Sequence, residues 1–280
     1  VKMGQRNKTY TFLMFAFFVI VAIVTLTPLG ALFVASLRPG SDLLRYGLNF
    51  SIDPATASLR NYIALFTGDN LYFTWYKNSL VITVVQVALS LFLSACVGYG
   101  FAMYNFKGKN ILFTCVLIIM MIPMEVILLP LYRLTISLNL IDSMWGIILP
   151  HLAVPMLIFF FRQYLSGLPK DFLDAGRIDG CTEYGIFFRI MMPLMAPSFA
   201  AMGIFQGMTS WNNFLWPMIV IRSANKVTLP VGLQGLITPY GNNYDILIAG
   251  SCFAVVPILI LFFCFQSFFI EGMTAGGVKG

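Results

Sequence analysis

Leu168-Pro-Lys-Asp-Phe-Leu-Asp-Ala-Gly-Arg-Ile-Asp-Gly-Cys-Thr-Glu-Tyr-Gly-Ile-Phe-Phe-Arg-Ile-Met-Met-Pro193 is an island of charge between two long apolar runs. Its residues describe a helix, a turn and a second helix. Pro169 suits the first helical position, where its missing N–H costs nothing, and Asp171 suits the positive helix start. The helix should stop at Asp179-Gly180, because glycine adopts the left-handed C-terminal geometry freely and Asp179 can hold the turn by a local hydrogen bond. Thr182 can cap the second helix, with Glu183 in its first turn. Tyr184, Phe187, Phe188 and Met191 follow at helical spacing and give it an apolar face. Two readings of the hairpin stand on these residues alone. It is an amphipathic element resting on lipid headgroups, or a docking site for a partner beneath the membrane.

The flanks supply the membrane. Hydrophobic residues make up 59% of the chain, charged residues 10%, and the mean hydropathy is +0.86. A soluble domain carries roughly 25% charged residues, because its surface must be wetted. A helix needs about 20 apolar residues to cross the hydrocarbon core. Six runs qualify: Tyr10 to Leu37, Ser79 to Tyr104, Ile111 to Leu131, Ser143 to Phe161, Leu194 to Ile221 and Ile246 to Ile270. Five contain no Asp, Glu, Lys or Arg, and the third contains only Glu125. The first is too long for the apolar region of a signal peptide and has no convincing cleavage site, so it is expected to be a retained span. The expected organisation is one all-α transmembrane domain over residues 1–280, with a structured loop at 162–193.

Six spans put both termini on one side. That side holds Lys2, Arg6, Lys8, Lys107, Lys109, Arg162, Lys170, Arg177, Arg189 and Lys279, ten of the seventeen basic residues. Arg38, Arg45, Arg60, Lys77, Arg133, Arg222 and Lys226 fall on the other, spread over longer loops. The positive-inside rule therefore places both termini, and the 162–193 loop, in the cytoplasm. Arg38 to Lys77 becomes a long external loop, partly helical near the interface, and Arg222 to Asp245 a second one rich in Gly, Pro and Asn. The net charge of +6 forms no nucleic-acid-like stripe, so no nucleic-acid partner is expected. Cys96, Cys115, Cys181, Cys252 and Cys264 contain no CxxC pair, and His151 has no neighbour of metal-ligand type. Neither a disulfide framework nor a metal site is expected.

Asp174-Ala175-Gly176-x-x-Asp179-Gly180, nine residues, then Ile190-x-Met192-Pro193 resembles the EAA motif of binding-protein-dependent ABC importer permeases. The family pattern has Glu, Ala and Leu where this chain has Asp174, Gly176 and Met192. Gly176 should loosen the first helix by up to about 1 kcal/mol relative to Ala. Asn105-Phe-Lys-Gly-Lys109 is similar to the short basic turn after the second span of carbohydrate permeases, and Ser210-Trp-Asn-Asn-Phe-Leu-Trp216 to their fifth-span Trp-Asn motif. The ending Gly272-Met-Thr-Ala-Gly-Gly-Val-Lys-Gly280 is similar to the tail of the MalG-like subunits. The resemblance runs over essentially the whole chain and implies a type I ABC importer permease of the carbohydrate group. In that family the hairpin forms coupling helices seated in a cleft of the ATPase. The role carries to Asp174, Ala175, Gly176, Asp179 and Gly180, with Thr182 and Glu183 beginning the second helix.

The resemblance further implies a second permease subunit, an ABC ATPase dimer, an extracytoplasmic solute-binding protein and membrane lipid as partners, in the bacterial inner membrane. No GxxxxGK[ST] run is present, so no phosphate-cradling loop is expected here. ATP and Mg are expected in the partner ATPase, with no cofactor and no catalytic residue in this chain.

Candidates for the solute path are Glu125, an ionisable group inside an apolar run, and Gln206, Trp211, Asn212, Asn213 and Trp216. Amides and indoles suit sugar hydroxyls and C–H faces, but equally suit interhelical contacts and an interfacial aromatic belt. Gln234, Thr238, Tyr240 and Asn242, in the second external loop, are the candidates for contact with the binding protein, a role the resemblance implies by position. A secondary, ion-coupled transporter would be expected to show internal repeats and buried charge relays. An intramembrane enzyme would need a nucleophile or metal cluster. Neither signature is found.

Overall fold

The computed structural model describes residues 8–54, 56–67, 70–237 and 243–275. All regular structure among the described residues is helical: α1 (Lys8–Ser36), α2 (Ser41–Tyr46), α3 (Arg60–Thr67), α4 (Tyr72–Met103), α5 (Lys109–Met120), α6 (Met124–Ser137), α7 (Met144–Ile148) and α8 (Pro155–Ser166) come first. Then follow α9 (Asp171–Ile178), α10 (Glu183–Ile186), α11 (Met192–Leu194), α12 (Ala196–Trp211), α13 (Leu215–Val220), α14 (Leu229–Gln234), α15 (Tyr244–Ala254) and α16 (Val256–Ala275).

Three helices are long and apolar enough to cross a membrane: Thr9–Ser36, Tyr72–Met103 and Tyr244–Gln266. By length and composition three bent pairs raise the number of candidate crossings to as many as six: α5 with α6 at 103°, α7 and its 3-10 extension with α8 at 42°, and α10–α11 with α12 at 74°, the last joining the second helix of the 162–193 loop to the fifth apolar run. The apolar runs at Ile111–Leu131, Ser143–Phe161 and Leu194–Ile221 are therefore bent or broken. Proline explains each break. It lacks an N–H and pushes the residue before it out of the helical region. Pro123 is extended at ψ 140° between α5 and α6, Val154 is extended at ψ 110° before Pro155, and Pro197 follows the bend at Met195. The fifth run breaks again at Asn212–Phe214, so α13 is a separate short helix. In contrast, α4 starts seven residues before its apolar run, at Tyr72 rather than Ser79, because the Asn70 carboxamide accepts from the Tyr72 N–H at 3.0 Å.

Within the expected single domain the chain forms two compact units. The first combines residues up to Phe73 with Leu233–Val256, and in it α15 packs on α1, α2 and α3. The Tyr72 hydroxyl donates to the Gly250 carbonyl at 2.8 Å, and the Asn61 carboxamide donates to the Ser36 and Arg38 carbonyls at 3.0 and 2.7 Å. Most of α1 remains exposed, with Phe12, Phe15, Phe17, Ile20, Ile23 and Val24 outward. Such a surface needs lipid or another membrane subunit against it.

The second unit runs from Thr74 to Gly232 and continues from Pro257. Its larger core joins Leu91, Ala95, Tyr99 and Met103 of α4 to Leu157, Phe161 and Leu165 of α8. Leu173, Ile186, Phe187 and Met191 from the 168–193 loop complete it. A smaller core holds Ile82, Ile147, Ile148, Trp216 and Val220. Asp142 fastens the turn after α13, accepting from the Arg222 and Ser223 N–H groups at 3.0 and 2.9 Å and from Lys226 Nζ at 2.9 Å.

Candidate functional site

The hairpin is built as its residues dictate, with three departures. Helix α9 opens at Asp171 with Lys170 as its N-terminal cap, so Pro169 lies just outside the helix instead of in its first turn. Its end is a complete Schellman closure: Gly180 is left-handed at φ 75°, its N–H donates to Arg177 O at 3.1 Å, and the Cys181 N–H donates to Gly176 O at 2.9 Å. The backbone alone closes the turn. No side-chain hydrogen bond of Asp179 is found among the described residues, so the local bond expected of it is not what holds the geometry.

Thr182 caps α10, its Oγ accepting from the Gly185 N–H at 3.1 Å. The second helix then widens into a π turn over Phe187–Met191, where the Met192 N–H reaches Phe187 O. Pro193, with no N–H to give Arg189, leaves that slack. This changes which residues face inward. Phe187 and Met191 are buried as expected, but Tyr184 is 81% exposed, Phe188 is half-exposed, and Ile186 takes the inner position.

Gly176 turns out to be a packing residue. It is buried, and a Cβ there would stand 2.8 Å from Ile190 Cδ1 and 2.9 Å from Ile186 Cγ1. The two isoleucines fill the space an alanine would take.

Charge ties the hairpin together and anchors it. Glu183 accepts from Arg177 Nε at 2.8 Å and from the Tyr104 hydroxyl just beyond α4, while Arg177 also lies 3.6 Å from Asp174. Donation from Arg177 first, and then from Tyr104, holds the Glu183 carboxyl below its ordinary value of 4.5. The bonds that favour the carboxylate are therefore intact at neutral pH and are lost only as the pH falls through the lowered value. Arg177 and Tyr104 were not legible as site residues. An acid and a base flanking a glycine turn was the available signal for Arg177, and nothing in the sequence pointed to Tyr104.

The result is a packed hairpin whose inner face is part of the core. Its outer face presents Ile178 (86% exposed) and Tyr184, on either side of the Gly180 turn. A cleft of about 540 Å³ opens beside it, lined by Phe92, Tyr99, Tyr104, Glu183, Tyr184 and Phe188.

The other candidates are not brought together. Gln206 and Trp211 are buried, the latter edge-on to Tyr76 at 5.4 Å. Trp216 lies in the smaller core, and its indole N–H donates to Gly146 O at 3.0 Å, so it serves packing and does not face a path. The Asn212 carboxamide folds back onto Met208 O at 2.9 Å, and Asn213 is half-buried. Glu125 is exposed in the first turn of α6, just past the Pro123 break. Gln234 is exposed at the end of α14; Thr238, Tyr240 and Asn242 lie outside the described residues.

Residues 90–274, which contain the whole hairpin, match the family described as binding-protein-dependent transport system inner membrane component. The arabinooligosaccharides transport system permease protein AraQ of Bacillus subtilis is 55% identical over 277 residues, covering 99% of both chains. The protein of the same description from Halalkalibacterium halodurans is 56% identical over 263 residues, 94% of each. A chain from the crystal structure of a bacterial ABC transporter involved in the import of the acidic polysaccharide alginate superposes with a TM-score of 0.81 at 20% identity, over 96% of this chain and 99% of that one. That last likeness is one of fold. Taken with the long apolar helices and the packed hairpin, these matches mean that the chain belongs to the inner membrane components of binding-protein-dependent transport systems, the permease subunits of ABC importers.

Proposed function

We propose that this chain is one of two permeases in an importer for arabinose-containing oligosaccharides. A solute-binding protein delivers the sugar, and a separate ATPase pair, which binds the ATP and Mg, drives transport. Both termini and the hairpin face the cytoplasm. The observation that carries this reading is the hairpin: its inner face belongs to the helical core, and its outer face offers Ile178 and Tyr184, which no described residue covers. A lever of that kind converts closure of a docked motor into helix movement, because the two states differ in contacts. Asp174, Ala175, Gly176, Asp179, Gly180, Thr182 and Glu183 form it. Asn212, Asn213 and Glu125 are the path candidates that reach this chain's surface, and Gln234 is the described candidate for binding-protein contact. The sugar class follows from the two arabinooligosaccharide permeases that match across nearly the full chain.

The test is uptake by vesicles containing the reconstituted complex with its binding protein. ATP-dependent uptake of arabino-oligosaccharides, outcompeting maltodextrin and galacto-oligosaccharide, is the expected outcome. Uptake without any ATPase would overturn the assembly, and preference for another sugar would overturn the substrate.

Glu183 gives a graded check. Glu183→Ala leaves Arg177 with its longer contact to Asp174 and takes the acceptor away from the Tyr104 hydroxyl, and is expected to lower uptake several-fold while the ATPase still co-purifies. Glu183→Gln can accept from Arg177 through its one oxygen and donate to the Tyr104 hydroxyl oxygen through its NH2, and should retain most of the activity. Equal losses in the two variants would show that the bridge does not stiffen the lever.

A further inference from the structure

Four basic side chains gather on one edge of the second unit without an acidic partner. They are Lys107 and Lys109 in the turn between α4 and α5, Arg162 in α8, and Lys170 at the start of α9. Helices α5 and α8 pack together, and the Arg162 guanidinium lies over the Phe113 ring, 3.5 Å from its centroid, one turn beyond Lys109. Lys109 Nζ donates to Tyr104 O at 2.8 Å, which holds that ammonium at the mouth of the turn. Burial first, and then the charges of Arg162 and Lys170, push the Lys109 ammonium below its ordinary value, and Lys107 stands two residues away in the same turn. Ion pairs among the described residues join Arg177 to Asp174 and Glu183, and Lys226 to Asp142, and none reaches these four. Arg162 Nε is buried with no partner.

Lys109 and Arg162 are partly buried while Lys107 and Lys170 are exposed around them, and like charges drawn to one edge favour an anion among them. The start of α5 adds to the demand, since Gly108 gives no side-chain cap and the first turn holds no acid. What lies next to the cluster identifies the anion. Phe106, Ile111 and Leu112 are exposed beside it, and Ile118 and Ile119 continue the same outward apolar surface along α5. A charge cluster at the edge of a hydrocarbon-facing surface matches a molecule with an anionic head and apolar tails.

We propose that Lys107, Lys109, Arg162 and Lys170 hold the phosphate of an anionic phospholipid whose acyl chains lie along the outward face of α5. Basic pockets beside membrane helices bind such headgroups by charge and hydrogen bonding. The proposal requires α5 to be part of a membrane crossing and is independent of the sugar. If both it and the topology hold, the lipid belongs to the cytoplasmic leaflet.

Native mass spectrometry of the detergent-purified complex measures it, with phosphatidylglycerol and phosphatidylcholine supplied as competing probes. Selective retention of phosphatidylglycerol is expected in the parent protein. Lys107→Gln with Lys170→Gln, which disturbs no described contact, should lower that retention by about tenfold and leave phosphatidylcholine unchanged. Lys107→Arg with Lys170→Arg should restore it. Lys109→Gln should weaken it independently. Unchanged phosphatidylglycerol retention in the double glutamine variant would overturn the proposal. So would unchanged retention combined with loss of the co-purified ATPase, which would assign the cluster to a protein interface. Cysteine accessibility from the two sides of the membrane reports on topology separately, so a failed orientation is not confused with a failed lipid site.

Discussion

Gly98→Leu is expected to prevent recovery of a folded permease, even though the substitution makes α4 more apolar. At Gly98 the backbones of α4 and α8 touch. A Cβ would stand 2.7 Å from Phe161 Cβ, 2.9 Å from the Arg162 backbone nitrogen and 3.2 Å from Ile158 O. Two of those three atoms are backbone, so no change of rotamer relieves the overlap. Small residues are what allow membrane helices to approach this closely. Overpacking costs about 1–3 kcal/mol where side chains can give way, and here the helices themselves must separate. Ala95, Tyr99, Leu157, Phe161 and Leu165 would lose their packing at the same time, and this is the core on which the hairpin rests. The yield of monodisperse complex in detergent, with its melting temperature, measures the effect. Gly100→Leu is the internal control, since nothing lies within 4 Å of a Cβ there. The two variants should differ sharply, and equal behaviour would mean that the α4–α8 contact is not as close as described.

Much of this architecture can be read from residue type because lipid imposes simple rules. Long uncharged runs must be helices, since no water is available to satisfy their backbone. That argument found the apolar runs, yet it could not see the bends. Hydropathy registers Pro123, Pro155 and Pro197 as interruptions of little weight, whereas each lies at the start of a new helix beside a turn of the chain. It also could not see that α4 continues back to Tyr72, because the cause is a single amide cap at Asn70.

The hairpin was more legible than the solute path for a related reason. Its form rests on local chemistry: a threonine cap at Thr182 and a left-handed glycine at Gly180 are settled by their own neighbours. Glu183 to Tyr104 is a contact between residues 79 apart in sequence, and nothing local announces it. The inner face of α10 was misassigned at Tyr184 because the π turn at Phe187–Met191 shifts the helical register. The Trp-Asn run was less legible by composition. Indoles and amides suit sugars and helix contacts alike, and the structure separates them: Trp216 is buried with its N–H on Gly146, while Asn212 stays at the surface with one amide N–H on Met208.

The central claim is that the hairpin couples this permease to a motor, and Gly180 is where it is most exposed to test. Gly180→Val should leave the spans inserted and abolish uptake. The residue sits at φ 75°, and a left-handed residue with a Cβ costs about 1–2 kcal/mol, more when β-branched. No described residue lies within 4 Å of the new Cβ, so the penalty there is conformational. To escape it the turn must unwind, breaking the Gly180-to-Arg177 and Cys181-to-Gly176 closures and moving Ile178 and Tyr184 off the surface they share. Gly180→Asn tolerates the left-handed region and should keep most of the activity. The direct measurement is the amount of ATPase that co-purifies with each variant, taken beside uptake in reconstituted vesicles. A loss of ATPase and of transport in Gly180→Val, with both retained in Gly180→Asn, is the predicted result. Normal assembly and normal uptake in Gly180→Val would contradict the account and leave the hairpin a membrane-surface element.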